Sequence, residues 1–140
     1  MSKQTEILGA LPLHAENGLL SQEGWARHPY WRYRRSAVPA SAWKIKEWDY
    51  YAVMSADQQF AIGLTASNLG YAGLYAICFV DLASGHSYQT DALQALPLAR
   101  HAFPEQAADG EVRFDSKQLS LHFITEAGPR RLRFASPTLQ

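Results

Sequence analysis

From residue 43 onward the sequence alternates with a period of two, and short polar breaks separate the alternating runs. This pattern constrains the fold most, because successive side chains on a strand point to opposite faces, whereas a helix needs a period of about 3.6. In WKIKEWDYYAVMS, Trp43, Ile45, Glu47, Asp49, Tyr51 and Val53 share one face, and Lys44, Lys46, Trp48, Tyr50, Ala52 and Met54 share the other. Both faces carry aromatics and both carry charge near the start, which predicts a strand with its charged end solvated and its other end buried.

Ala56, Asp57 and Gln58 form a polar break suited to a hairpin loop. In the next run, FAIGLTASN, Phe60, Ile62, Leu64 and Ala66 point one way, and the small residues Ala61, Gly63, Thr65 and Ser67 point the other. A small-residue face marks either close approach by another segment or the wall of a cavity, and close approach is the commoner use. Asn68, Leu69 and Gly70 predict a second turn, since Asn and Gly tolerate positive φ. The almost continuously apolar YAGLYAICFVDL then reads as a central strand buried on both faces. Residues 86–90 make a plausible return strand. Asp91 is placed to cap a short helix through Leu96, but Pro97 and Pro104 stop it, so 91–110 is assigned mainly to loop. Further strands are predicted at 112–115, 119–125 and 130–135. About seven strands at roughly 10–12-residue spacing predict an all-β antiparallel meander, closed as a barrel or folded as a sandwich.

The stretch before this meander, residues 1–41, is punctuated by Pro12, Gly18, Gly24, Pro29 and Pro39, which forbid a long helix or an uninterrupted central strand. Because it also carries Trp25, Tyr30, Trp31 and Tyr33, it is expected to be an irregular aromatic arm packed on the β domain of 42–140. At 140 residues, with 47% apolar and 19% charged residues, one domain can bury an adequate core without a metal or disulfide staple. The single cysteine, Cys78, lies in an apolar run and is read as a buried, unreactive thiol. The N-terminus lacks the basic and apolar regions of a secretory signal, and no run approaches a membrane span, so a cytoplasmic location is the simplest expectation.

Residues that could carry chemistry are sparse. The block GWARHPYWRYRR interleaves Arg27, Arg32, Arg34 and Arg35 with aromatics, a composition used by single-stranded nucleic-acid platforms. Thirteen basic residues balance thirteen acidic ones, which argues against nucleic acid and favours arginines stacked on aromatics at a solvated rim. None of the five histidines has a close partner at ligand spacing, so no metal is predicted. Among them His122 reads as a solvent-facing or barrel-lining strand residue, and His28 is the better functional candidate. No nucleophile elbow or glycine-rich phosphate loop is present, and no cofactor is predicted. Asp49 stands out in KEWDYY, because a buried carboxylate must find a partner or shift its pKa. An ion pair with Lys44, Lys46 or an arginine of 27–35 is the structural expectation, and a catalytic acid or base is the sharper one.

Three linked blocks also carry a resemblance. Gly24, Trp25, Ala26 and Arg27 with Pro29, then Lys46 with Trp48, Asp49, Tyr50 and Tyr51, then Asn68 through Gly73 resemble the signatures of the bacterial family called domain of unknown function 2804. The resemblance implies that the chain corresponds to the N-terminal half of a longer architecture. It also implies a distant likeness to calycin-type proteins built from lipocalin-like barrels, hence a barrel or half-barrel here, which fixes a shape and not an activity. Together these readings imply a non-catalytic β domain for a small apolar or lipid-like ligand or a partner domain. The alternative is a hydratase- or isomerase-like enzyme with Asp49 and Tyr50 as catalytic groups and Trp48 and Arg27 at the polar end of a cavity. Candidate ligand-binding residues are Arg27, His28, Trp48, Asp49, Tyr50, Asn68 and Tyr71. Uncovered edges in a half-barrel imply either a homodimer or completion by a C-terminal half.

Overall fold

The computed structural model describes residues 4–95, 103–106, 108–127 and 129–138. Strands β1 (Leu11–Pro12) and β2 (Trp31–Arg32) form a two-residue parallel ladder within the arm, followed by a single 3-10 turn at Arg35–Ala37. Strands β3 (Glu47–Met54), β4 (Phe60–Asn68), β5 (Ala72–Asp81) and β6 (Ser87–Ala95) run as an antiparallel meander in one sheet. A second antiparallel sheet contains β7 (Gly110–Asp115), β8 (Ser120–Thr125) and β9 (Arg131–Ala135).

The register sorts the inner face of the first sheet into rows. Tyr51, Leu64, Ile77 and Thr90 stand side by side across the four strands, and the next row is Asp49, Ala66, Tyr75 and Ala92. Against these rows the second sheet sets Val112, Phe114, Leu121 and Phe123, which complete one buried core with Leu119. The Tyr75 and Phe114 rings stack at 3.6 Å between centroids, and Tyr51 meets Phe123 edge-on at 5.0 Å. Both aromatic pairs tie the sheets together; Tyr51 and Phe123 adopt the edge-to-face arrangement that ring quadrupoles favour, while Tyr75 and Phe114 lie nearly face to face.

The predicted lipocalin-like barrel is corrected here to an open arrangement. Among the described residues no ladder joins β6 to β7 or β3 to β9, so the sheets face each other without closing. Stacked rings fill the space that a barrel ligand would occupy.

Two element boundaries also move. The first long strand begins at Glu47 because residues 41–44 make a turn closed by the Lys44 amide donating to the Ser41 carbonyl at 2.8 Å. At its charged start Lys44 and Lys46 are exposed as expected, but Glu47 and Asp49 are half-buried where the arm reaches them, and Val53 and Met54 at the other end, expected to be buried, are exposed at the hairpin tip. Residues 91–95, expected to leave the sheet, do not: β6 stays paired with β5 as far as Ala95 and Asp91 faces solvent as an ordinary strand residue. The end of the considered helix, with Leu96 and Pro97, lies outside the described residues.

The 68–72 turn is built as its sequence predicts. The Asn68 side-chain oxygen accepts from the Gly70 amide at 2.8 Å, and Gly70 adopts φ +83. A Cβ at Gly70 would sit 2.7 Å from the carbonyl oxygens of both Ala42 and Trp43. Gly70→Ala is therefore expected to cost about 2 kcal/mol or more, combining left-handed strain with a backbone clash. Urea unfolding checks it, and an unchanged midpoint contradicts it.

Candidate functional site

The inner face of β3 opens beside a shallow cleft of about 300 Å³ where three segments separated in sequence converge. The arm supplies Tyr33, β3 and the residue before it supply Lys46, Glu47, Trp48 and Asp49, and Phe103 and Pro104 close the third side. Phe103 also packs on the core, and the Arg35 amide donates to the Glu105 carboxylate at 2.9 Å, so arm and third segment are fastened to each other.

Two carboxylates stand here, and their surroundings differ. Glu47 shares a row with Asn68, Gly73 and Gln94 and is held by three donors. The Arg35 guanidinium donates to it, Tyr33 Oη donates at 2.9 Å, and Asn68 Nδ2 donates at 3.4 Å. A carboxylate so bonded is a structural anchor for the arm. Asp49 heads the row of buried Ala66, Tyr75 and Ala92, yet it accepts no hydrogen bond and makes no ion pair among the described residues. The ion pair expected for Asp49 is made by Glu47 instead.

Burial pushes the Asp49 carboxyl above its ordinary value of 3.8, and the Arg130 guanidinium, which also lies over the Tyr51 ring, pulls the other way less strongly. The folded state thus holds the Asp49 proton more tightly than the unfolded chain, so ionising Asp49 weakens the fold. The penalty is absent below the unfolded value, grows as pH rises toward the folded value, and is complete above both. Asp49→Asn is expected to be more stable than the parent at about pH 7 and to lose that advantage at about pH 3. Denaturation at the two pH values decides, and a variant that is weaker at neutral pH contradicts the assignment.

The remaining sequence candidates scatter. Trp48 borders the cleft with Asp49. Tyr50 points to the opposite face of β3, over Gly63, so Asp49 and Tyr50 do not converge as a catalytic pair. On the small-residue face of β4, Gly63 is approached by the Tyr50 ring of the neighbouring strand and by Cys78, the close approach its small size allows. Asn68 is spent on its turn and on Glu47. Tyr71 is exposed, with Lys46 Nζ 4.3 Å from its ring centroid, and Lys46 also donates to the Leu69 carbonyl. Arg27 pairs with Glu6 at 2.9 Å and lies over Trp25, while His28 packs edge-on against Tyr30, and neither lines the cleft. His122 faces outward and bonds Glu111 at 2.7 Å. From sequence, Tyr33 and Arg35 stand out only as members of the arm's aromatic and basic block, and Glu47 and Phe103 not at all. The arginine expected to pair with β3 is there, but on Glu47 and not on Asp49.

Among the described residues no cluster of three or more His, Cys, Asp or Glu is placed to hold a metal ion, and no helix is long and apolar enough to cross a membrane. No curated protein and no solved structure matches the chain, so the calycin likeness finds no support from a neighbouring fold. One family model does match, over residues 4–140 and thus over the length of the chain and not an N-terminal portion of it. The chain belongs to the family described as Domain of unknown function (DUF2804).

Proposed function

We propose that this chain is a non-catalytic binding domain whose small ligand sits in the β3 cleft and presents an apolar body to Tyr33 and Phe103 and a donor or cationic group to Asp49. The observation carrying this reading is the half-buried Asp49 carboxylate, which accepts no hydrogen bond and makes no ion pair among the described residues, feels the Arg130 charge only weakly against its burial, and is bordered by aromatics. A carboxylate desolvated without a partner is costly to keep, and a ligand N–H or O–H would relieve that cost. The cleft sits at the small end of the range for ligand sites, which fits one ring or a short chain.

Asp49 also motivates the hydratase- or isomerase-like alternative, since a raised carboxyl is suited to proton transfer. Binding is the better-supported reading, because Glu47 is committed to the arm and Tyr50 faces away.

Calorimetry with two ligands of matched size and opposite charge, phenethylamine and 3-phenylpropanoate, tests the proposal. The amine is expected to bind at least about tenfold more tightly, a difference of about 1.4 kcal/mol, and Asp49→Asn is expected to remove the preference. Equal affinities, or a preference that survives in Asp49→Asn, would overturn it.

A further inference from the structure

The outer faces of the two sheets differ sharply in chemistry. On the three-stranded sheet the outward positions carry Glu111, Arg113, Asp115, His122, Arg131 and Arg133, the charged surface expected where a sheet meets water. On the four-stranded sheet the corresponding positions are Trp48, Tyr50 and Met54 on β3 and Leu74, Ala76 and Val80 on β5, with the small residues Ala61, Gly63, Thr65 and Ser67 on β4 between them and the uncharged polar Ser87 and Gln89 on β6. The one charged residue on this face is Asp91, on the edge strand β6. Large side chains are left in solvent, with Trp48 64%, Met54 62% and Leu93 68% exposed. Cys78, read from sequence as buried, is half-buried on this same face, paired across the strands with Gly63 and Gln89.

A broad sheet face this poor in charge, with large apolar side chains left in solvent, is of the kind found at interaction sites. The Tyr50 hydroxyl lies 3.3 Å from where a Gly63 Cβ would be, so the large ring is laid down on β4 and does not stand as a ridge. The middle of the face is flat.

We propose that this face docks a second copy of the same chain, sheet against sheet, in a two-fold symmetric dimer. Two-fold pairing sets a surface against itself, which a charged face resists and a flat face with a single charge at its edge accepts. Four strands at about 4.8 Å spacing and eight residues at about 3.4 Å give a footprint of roughly 500 Å² per copy. The two footprints sum to about 1,000 Å², the lower limit for a specific interface, and predict a dimer of roughly micromolar affinity.

Sedimentation equilibrium on the full chain from about 5 to about 200 µM tests this. A monomer–dimer equilibrium is expected, and Ala76→Arg, which places an uncompensated charge at the centre of the face in both copies, is expected to raise the dissociation constant at least roughly 100-fold. Leu93→Lys alters an exposed side chain with little risk to folding and is expected to weaken association in the same direction. A parent chain that stays monomeric at the highest concentration overturns the proposal, as does a dimer that survives both substitutions unchanged. Because the β3 cleft opens on the other side of the sheet, phenethylamine binding is expected to persist in the monomeric variants.

Discussion

Phe123→Ala is expected to lower the free energy of unfolding by about 3–5 kcal/mol, enough to reduce the melting temperature by about 10–20 °C in a domain of this size. Phe123 is 1% exposed on β8, the central strand of its sheet, and its ring closes edge-on against Tyr51 from the opposite sheet. Truncation loses the transfer energy of the ring and leaves a cavity between two sheets that no ladder holds together among the described residues. The cost is therefore expected near the upper end, because side-chain packing is what couples the sheets. Tyr88→Ala, at a residue 60% exposed, is expected to cost under about 1 kcal/mol and serves as the control. Thermal and urea unfolding compare them, and similar losses for the two variants contradict the assigned core.

Glu47→Ala is expected to cost about 3 kcal/mol and to loosen the arm without unfolding the sheets. Its side chain is 11% exposed and receives Arg35, Tyr33 and Asn68, so deletion strands a partly buried guanidinium and leaves two further donors unmatched. Limited proteolysis followed by mass spectrometry separates this from general destabilisation. Cleavage is expected to appear first within residues 33–46 while fragments spanning β4 to β6 persist. Uniform cleavage across the chain contradicts an anchoring role for Glu47.

The strands from Phe60 to Asp81 and those after residue 110 were legible because their alternation is a local property, and so was the Asn68–Gly70 turn. Two boundaries were not. Trp43 and Ile45 continue the alternating pattern of β3, yet their backbone is drawn into a turn against Gly70. Ala92 and Gln94 remain strand because the long edge of β5 offers them partners, an advantage invisible within 91–95 itself. Closure of a barrel depends on whether distant edges meet, and the likeness to calycin-type barrels stood in for that missing information.

The site was legible by half. Asp49 and Trp48 were identifiable because a carboxylate amid aromatics on an alternating run is anomalous wherever it stands. Their neighbours were not, since Tyr33, Arg35 and Phe103 reach the cleft through the tertiary fold. The pairing of Arg35 with Glu47 and not with Asp49 turns on a row difference along one face of β3. Sequence spacing does not resolve that choice, as both carboxylates lie on the same face.

The most direct test of the account is to locate a bound ligand on the protein. A ¹⁵N-resolved NMR titration with phenethylamine is expected to shift the backbone amides of Lys46, Glu47, Trp48 and Asp49, with smaller changes at Phe103. The same titration of Asp49→Asn is expected to leave those signals in place. Shifts confined to residues remote from β3, or equal shifts in parent and variant, would contradict the assignment of this cleft as the binding site.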